Sequence, residues 1–269
     1  MITFVGIGYT NAASETPNDK YNADTITNAN LVIQKLNAGA TSDNFGAYQF
    51  RYKTKACSDG KANTISWMNY TIGYILYKRQ HQVKESLPYL LAASQNGCEL
   101  KDYPEVYRMI GASYLAEVSR LGTARVEKLH ANGDHENDET TGLIALIKGY
   151  ADRALDAYAR SYKFAKDRVD IPQSYREAQN VKLKEILDLR FEDKHDDVEK
   201  YVASVVTKPF PDPRTPVVPV IEAAPKVNSP AKPAQAPAVK QPDYKPAPAK
   251  ADPKRPGAAY KPSVSETEI

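Results

Sequence analysis

Hydrophobic residues recur at steps of three and four positions over most of the chain between Thr64 and Val206. An α-helix turns once every 3.6 residues, so this spacing gathers them on one helix face. No stretch shows the strict alternation typical of an all-β domain. The pattern predicts an all-α domain, and its periodic positions include Ile65, Met68, Ile72, Ile75, Leu76, Val106, Ile110, Tyr114, Leu143, Ile147, Leu155, Tyr158, Ile186 and Leu187.

Prolines and glycines mark the expected helix ends. Pro88 suits the first turn of a helix that Gly97 ends, and Pro104 suits the start of the next. Proline fits these positions because a first-turn N–H has no partner within the helix. Pro172 similarly begins a helix that reaches Phe191. These signals divide the periodic region into several separate helices.

The predicted helices repeat one another. Small residues recur at matching positions, where they let antiparallel helices approach, and large residues recur between them. On the first helix of each pair, Asn69-x-x-Ile72-Gly73-x-x-Leu76 recurs as Tyr107-x-x-Ile110-Gly111-x-x-Tyr114. On the second helix of each pair, Ser86-x-x-x-Leu90-x-x-Ala93 recurs as Ala154-x-x-x-Tyr158-x-x-Ser161. This pattern resembles the tetratricopeptide repeat. The resemblance covers about two units between residues 64 and 165, and it implies antiparallel helix hairpins stacked into a short solenoid.

Two features depart from that family. The units are 38 residues apart in the sequence, whereas the family repeats after about 34. A stretch from Leu121 to Gly142 is expected to separate the two helices of the second unit. A generic helical bundle is the alternative architecture.

The C-terminal part of the chain has a different composition. Fifteen of the 19 prolines lie between Pro209 and Pro262. Since proline fixes its own φ and favours extended backbone in the residue before it, residues 208–269 are predicted to form an extended tail. The predicted elements divide the chain into an N-terminal segment (1–55), a helical-repeat domain (56–207) and the tail (208–269). The tail is either a spacer or a strand that docks on a partner or a neighbouring subunit.

The N-terminal segment begins with the apolar run Ile2–Gly8, followed by the small residues Ala12, Ala13 and Ser14. The run is interpreted as a remnant of an export signal or as an edge strand, with a helix or loop after it. Cys57 and Cys98 flank the first predicted hairpin at its open end, so a disulfide between them is expected, with two independent thiols as the alternative. A disulfide favours export to the periplasm, cell surface or extracellular space, although a cytoplasmic location stays open.

Composition and motifs narrow the function classes. The net charge of +3 is too balanced to favour nucleic-acid binding. No apolar stretch approaches the roughly 18 residues of a membrane-spanning helix. The acidic loop around His130 and His135 begins like a calcium loop, but Glu139 stands where glycine is needed. With no phosphate loop or nucleophile motif present, we expect neither an enzyme nor a cofactor or metal site.

The strongest candidate site is an aromatic stripe. Trp67, Tyr70, Tyr74 and Tyr77 follow one another at steps of three, four and three, which places them on one helix face. The family resemblance implies that this face lines a concave groove and that Arg108 continues it on the next unit. Packing of the stripe under residues 20–50 as ordinary core is the alternative.

These features suggest a non-enzymatic interaction or structural module. Proline-rich strands dock in aromatic grooves because they are already extended and lose little entropy on binding. We therefore expect the tail of one subunit to lie in the tyrosine groove of another, which gives a homo-oligomeric ring or filament. The expected anchor is the most apolar part of the tail: Val217, Val218, Val220 and Ile221. The alternative is an envelope adaptor whose groove binds a foreign peptide while the tail is only a spacer.

Overall fold

Antiparallel helix pairs make up the fold. The structure, a computed structural model, describes residues 1–40, 57–96, 99–191 and 197–222. These residues contain eight α-helices and no β-strand, which confirms the all-α prediction for this part of the chain. The helices are α1 (Ile2–Ala12), α2 (Asn22–Asn37), α3 (Gly60–Tyr74), α4 (Val83–Asn96), α5 (Pro104–Ala131), α6 (Asp138–Lys166), α7 (Gln173–Phe191) and α8 (Val198–Val206).

Local chemistry explains several helix ends. The Asp59 carboxylate accepts a hydrogen bond from the Ala62 backbone N–H at 2.9 Å and caps the start of α3. Asn137 and Thr140 form a reciprocal capping box at the start of α6. Pro104 is the first residue of α5, as the sequence predicts. A π-helical turn over Ile75–Arg79 continues the chain directly after α3.

Each helix packs mainly against its neighbours in sequence. α1 packs on α2, α2 on α3, and α3 on α4, while α6 contacts α5, α7 and α8. One apolar core joins α1, α2 and α3 and includes Val5, Val32 and Met68. A second core extends from α3 to α8 and includes Ile110 and Leu155. In the described part of the chain, no helix is long and apolar enough to cross a bilayer.

Glycines allow the paired helices to approach closely. A Cβ atom on Gly73 of α3 would lie 2.8 Å from Leu90 Cδ2 of α4, and one on Gly111 of α5 would lie 2.6 Å from Tyr158 Cδ2 of α6. Gly73 and Gly111 hold equivalent positions in the repeated pattern, and so do Leu90 and Tyr158. At both of these matching positions, the glycine of one helix therefore faces a large buried side chain of its partner.

A third hairpin uses the same device. In α1, a Cβ on Gly8 would lie 1.9 Å from Thr25 Oγ1 of α2. The pair Ile7–Gly8 matches Ile72–Gly73 and Ile110–Gly111, a recurrence that the sequence analysis missed. The edge-strand interpretation of the N-terminal run is wrong, because residues 2–12 are helical.

The second hairpin is longer than predicted. Most of the stretch from Leu121 to Gly142 is helical, since α5 continues to Ala131 and α6 begins at Asp138. Ion pairs join the two helix ends: Lys128 contacts Glu139 at 2.5 Å, and Arg125 contacts Glu136. The first hairpin also differs from the prediction, because α4 begins at Val83 and contains Pro88 in its interior.

The glycine contact can be tested within one helix. We expect Gly111→Ala to destabilise the protein by about 1–3 kcal/mol, because the added methyl would displace the buried Tyr158 ring. Gly122→Ala in the same helix is the control. A Cβ at that position meets nothing within 4 Å. The higher helix propensity of alanine is therefore expected to stabilise the protein by about 0.5–1 kcal/mol. Chemical denaturation measures the free energy of unfolding of both variants. Equal changes in the two variants would contradict the explanation by close helix approach.

Candidate functional site

The predicted aromatic stripe runs along α3 and ends in the π-helical turn that follows it. Tyr70 is only 2% exposed, whereas Trp67, Tyr74 and Tyr77 are half-buried. The Trp67 and Tyr70 rings meet edge to face with centroids 5.7 Å apart, and Tyr70 and Tyr74 lie 6.1 Å apart. One member of the stripe therefore belongs to the core, and the other three remain in partial contact with solvent.

Two further tyrosines complete this layer. Tyr9 of α1 packs on Tyr70 at 5.8 Å and on Tyr74 at 5.3 Å, and Tyr103 meets Tyr70 edge to face at 5.6 Å. Tyr9 was missed because the sequence analysis did not place its segment in a helix. Tyr103 was missed because it precedes α5 and belongs to no helical stripe. Aromatic contacts at these distances contribute energy beyond burial of their area.

An ion pair borders the tyrosines. Arg108 donates two hydrogen bonds to the Glu105 carboxylate, at 2.6 Å and 2.5 Å. The Tyr175 hydroxyl of α7 donates to the same carboxylate at 3.1 Å. Burial acts to lower the pKa of Arg108, but the hydrogen bonds and charge of Glu105 outweigh it and raise that pKa. The structure thus places the predicted Arg108 beside the aromatic layer, in a fixed pair.

We call this surface the tyrosine face. Its members come from helices α1, α3, α5 and α7, from the π-helical turn after α3 and from the residue preceding α5. They are Tyr9, Trp67, Tyr70, Tyr74, Tyr77, Tyr103, Glu105, Arg108 and Tyr175. Flat rings with hydroxyl groups offer apolar contact area and hydrogen bonds at low entropic cost, which suits the binding of an extended polypeptide.

Two shallow cavities flank the tyrosine face. One, of about 260 Å³, has Tyr9, Trp67 and Glu99 in its walls, and the Trp67 indole donates to the Glu99 carboxylate at 2.8 Å. The other, of about 270 Å³, lies between Tyr103 and Tyr175. Tyr103 and Tyr9 both contact Tyr70, so a single aromatic layer connects the cavities.

The first part of the predicted tail packs on the folded unit. We call residues 208–222 the strap. At its start, the Phe210 ring meets Tyr107 at 5.3 Å, and the Arg160 guanidinium lies 5.2 Å from the Phe210 ring centroid. Arg160 also donates to the Lys208 carbonyl at 2.6 Å and pairs with Asp156 at 2.7 Å. A buried arginine thus ties the strap to α6.

The strap then follows α6. Arg153 donates to the Asp212 carbonyl at 3.1 Å and to Thr215 Oγ1 at 2.8 Å. Farther along, the Val220 N–H donates to the Ala145 carbonyl at 2.8 Å. Between these contacts the backbone passes directly over Gly149, where a Cβ would lie 2.3 Å from the Val218 carbonyl oxygen. The strap is therefore held mainly by arginine side chains and backbone hydrogen bonds.

The strap contains all four residues of the predicted tail anchor. Val217 and Val220 are half-buried and border a cavity against α6 of the same chain. Val218 and Ile221 remain 74% and 88% exposed. The strap ends at Glu222, whose carboxylate contacts Lys148 at 2.5 Å and Arg190 at 2.6 Å. The structure thus divides the predicted anchor, with two of its residues on the chain's own α6.

The remaining candidates are the acidic loop around His130 and the two cysteines. His130 hydrogen-bonds Asp134 at 2.7 Å in the α5–α6 connection. Within the described ranges, no three potential ligand residues converge into a metal-binding group. Cys57 is completely buried, and Cys98 lies outside the described residues, so the disulfide between them stays a prediction.

Neither a protein-family model, nor a curated protein, nor a solved structure matches this chain.

Alkaline pH should weaken the fold through the buried tyrosines. Burial raises the pKa of Tyr9 and Tyr107 from 10.0 to about 12. A raised pKa means that the folded state favours the neutral ring, so this stabilisation is complete below pH 10 and is lost as pH rises towards 12. We expect circular dichroism to show unfolding together with tyrosinate absorbance in this window. Tyr9→Phe should reduce the pH-dependent loss, and full ionisation near pH 10 with the helices intact would contradict the assignment.

Substitution at Gly149 should release the strap. Gly149→Ala places a methyl group against the Val218 backbone, which cannot rotate away as a side chain can. We expect trypsin to cleave after Arg214 several-fold faster in this variant, while the far-ultraviolet circular dichroism stays helical. Gly142→Ala on the same helix is the control, because a Cβ there meets nothing within 4 Å. Unchanged cleavage in Gly149→Ala would show that the strap does not depend on this contact.

Proposed function

We propose that this chain is a non-enzymatic, tetratricopeptide-repeat-like interaction module. In this proposal the tyrosine face binds extended protein segments, and the proline-rich residues 223–269 of a second copy are its ligand. The single observation that carries the proposal is the layer of half-buried tyrosines around Tyr70, flanked by two cavities.

The chemistry of the two surfaces is complementary. Residues 223–269 contain ten prolines, and proline rings pack well on aromatic faces while an extended chain loses little entropy on binding. The same residues carry eight lysines and arginines. Ammonium and guanidinium groups are attracted to the faces of tyrosine and tryptophan rings. A basic, proline-rich chain is therefore a suitable ligand for a tyrosine surface.

The contacts of the strap suggest that the first part of the tail and the rest of it act differently. Residues 208–222 contact α6 of the same chain, through Arg153 and Arg160 in particular. We therefore assign the contact between copies to residues 223–269, rather than to the anchor around Val217. The packing of the strap supports this assignment, because a proline-rich segment already lies on α6 of the same chain.

The geometry of such a contact determines the form of the assembly. The tail of one copy and the tyrosine face of the next are different surfaces, so their interface is heterologous. Heterologous contacts close into a ring or continue as a filament. We propose that this assembly occurs outside the cytoplasm, where the expected Cys57–Cys98 disulfide would form.

Solution mass tests the proposal. The full chain should form concentration-dependent multimers without reductant, whereas a chain ending at Ala223 should stay monomeric, because it keeps the compact unit and lacks the proposed ligand. A chain ending at Thr207 would also lack the strap, so a loss of multimers could then come from either missing segment.

Two full-length variants serve as a matched pair. Tyr74→Ala alters the tyrosine face and should weaken assembly about tenfold, while Tyr21→Ala, at an exposed site outside that face, should leave it unchanged. Monomers in both the full and the shortened chain would overturn the proposal. That result would favour an adaptor that binds a foreign peptide.

A further inference from the structure

The part of the chain beyond the strap repeats one short motif. Its two aromatic residues are Tyr244 and Tyr260, and each begins the sequence Tyr-Lys-Pro, as Tyr244-Lys245-Pro246 and Tyr260-Lys261-Pro262. The other residues of the segment 223–262 are mainly alanine, proline and lysine. The two motifs are therefore its most distinctive side chains.

The tyrosine face has two cavities of nearly equal size. Their volumes, about 260 and 270 Å³, are each large enough for one tyrosine side chain. An aromatic wall borders each of them: Tyr9 and Trp67 in the first, Tyr103 and Tyr175 in the second. We infer that one tail binds by placing one Tyr-Lys-Pro motif at each cavity. This inference rests on the proposed function.

Each cavity offers an aromatic surface for the tyrosine and the proline of the motif. A tyrosine ring can pack edge to face on Trp67 or Tyr103, and a proline ring can cover the next ring of the layer. Carboxylates border both cavities, Glu99 at the first and Glu105 with Asp170 at the second. Lysine adds a positive charge beside these carboxylates, although Glu105 and Asp170 already pair with arginines. Arg168 also lines the second cavity and pairs with Asp170, so the segment 223–262, with eight basic and two acidic residues, is attracted mainly to Glu99 at the first cavity.

The separation of the motifs allows one tail to reach both cavities. Sixteen positions separate Tyr244 from Tyr260, which corresponds to about 50 Å of extended chain. The cavities are much closer, because Tyr9 and Tyr103 both contact Tyr70 within 6 Å. Once one motif is bound, the other is held at a high effective concentration near its cavity. Binding through two motifs should therefore be stronger than binding through either alone.

A peptide titration tests the inference. A labelled peptide of residues 223–269 is titrated into the chain ending at Ala223, which retains the compact unit. We expect Tyr244→Ala and Tyr260→Ala each to weaken binding about tenfold, and the double substitution to weaken it at least about a hundredfold. The control peptide carries Val227→Ala and Val239→Ala, which shorten two side chains outside the Tyr-Lys-Pro motifs. It should bind within about twofold of the original peptide.

The outcomes separate the two proposals. If the original peptide does not bind, both the proposed function and the two-motif inference are wrong. If it binds and the double tyrosine substitution has no effect, only the inference is wrong. If one single substitution causes the whole loss, the tail uses one cavity, which also overturns the inference. Full-length chains with the same double substitution should show a matching loss of multimers.

Discussion

The close contact of paired helices at glycine determines the rest of this structure. At Gly73 and at Gly111, the missing side chain lets a large residue of the partner helix fill the space against the backbone. The partners Leu90 and Tyr158 are buried there. On α3, Tyr70 and Tyr74 contact Tyr9 of the preceding hairpin, so the aromatic rings extend across the helix pairs that the glycines bring together. The tyrosine face depends on that arrangement, since its residues come from three successive hairpins and from α7.

The tyrosine face combines stable packing with hydrogen-bonding capacity. Burial favours the neutral form of its rings, which keeps the hydroxyl groups protonated below pH 10. Its central charges are already paired, with Glu105 bound to Arg108 and Tyr175. The ligand that we propose would therefore meet a surface whose rings and charges are held in place before binding. Such preorganisation reduces the entropy lost on association.

The sequence predicted the parts of the fold that depend on apolar periodicity. It placed the helices of the two central hairpins and aligned Gly73 with Gly111, because large and small residues repeat there. It missed α1, where an uninterrupted apolar run hides the helical period. It also missed the end of α5, whose charged residues, such as Arg125 and Lys128, stabilise the helix through ion pairs.

The candidate site could be predicted only in part for similar reasons. The stripe from Trp67 to Tyr77 is visible because its residues share one helix. Tyr9 and Tyr175 join the site from helices distant in sequence, and no local pattern indicates which tyrosines meet. The strap was interpreted as the start of a uniform tail, because Arg153 and Arg160 bind its backbone and leave no sequence motif.

The strap determines how mechanical load would enter the domain. A pull on the chain beyond Glu222 would first act on the contacts of that residue with Lys148 and Arg190, on α6 and α7. It would then pass to the backbone hydrogen bond at Ala145 and the arginine contacts farther along α6 before reaching the short helix α8. Tension would thus be distributed over the longest helix of the described fold. In an assembly linked through tails, this attachment would protect the C-terminal helix from being peeled away.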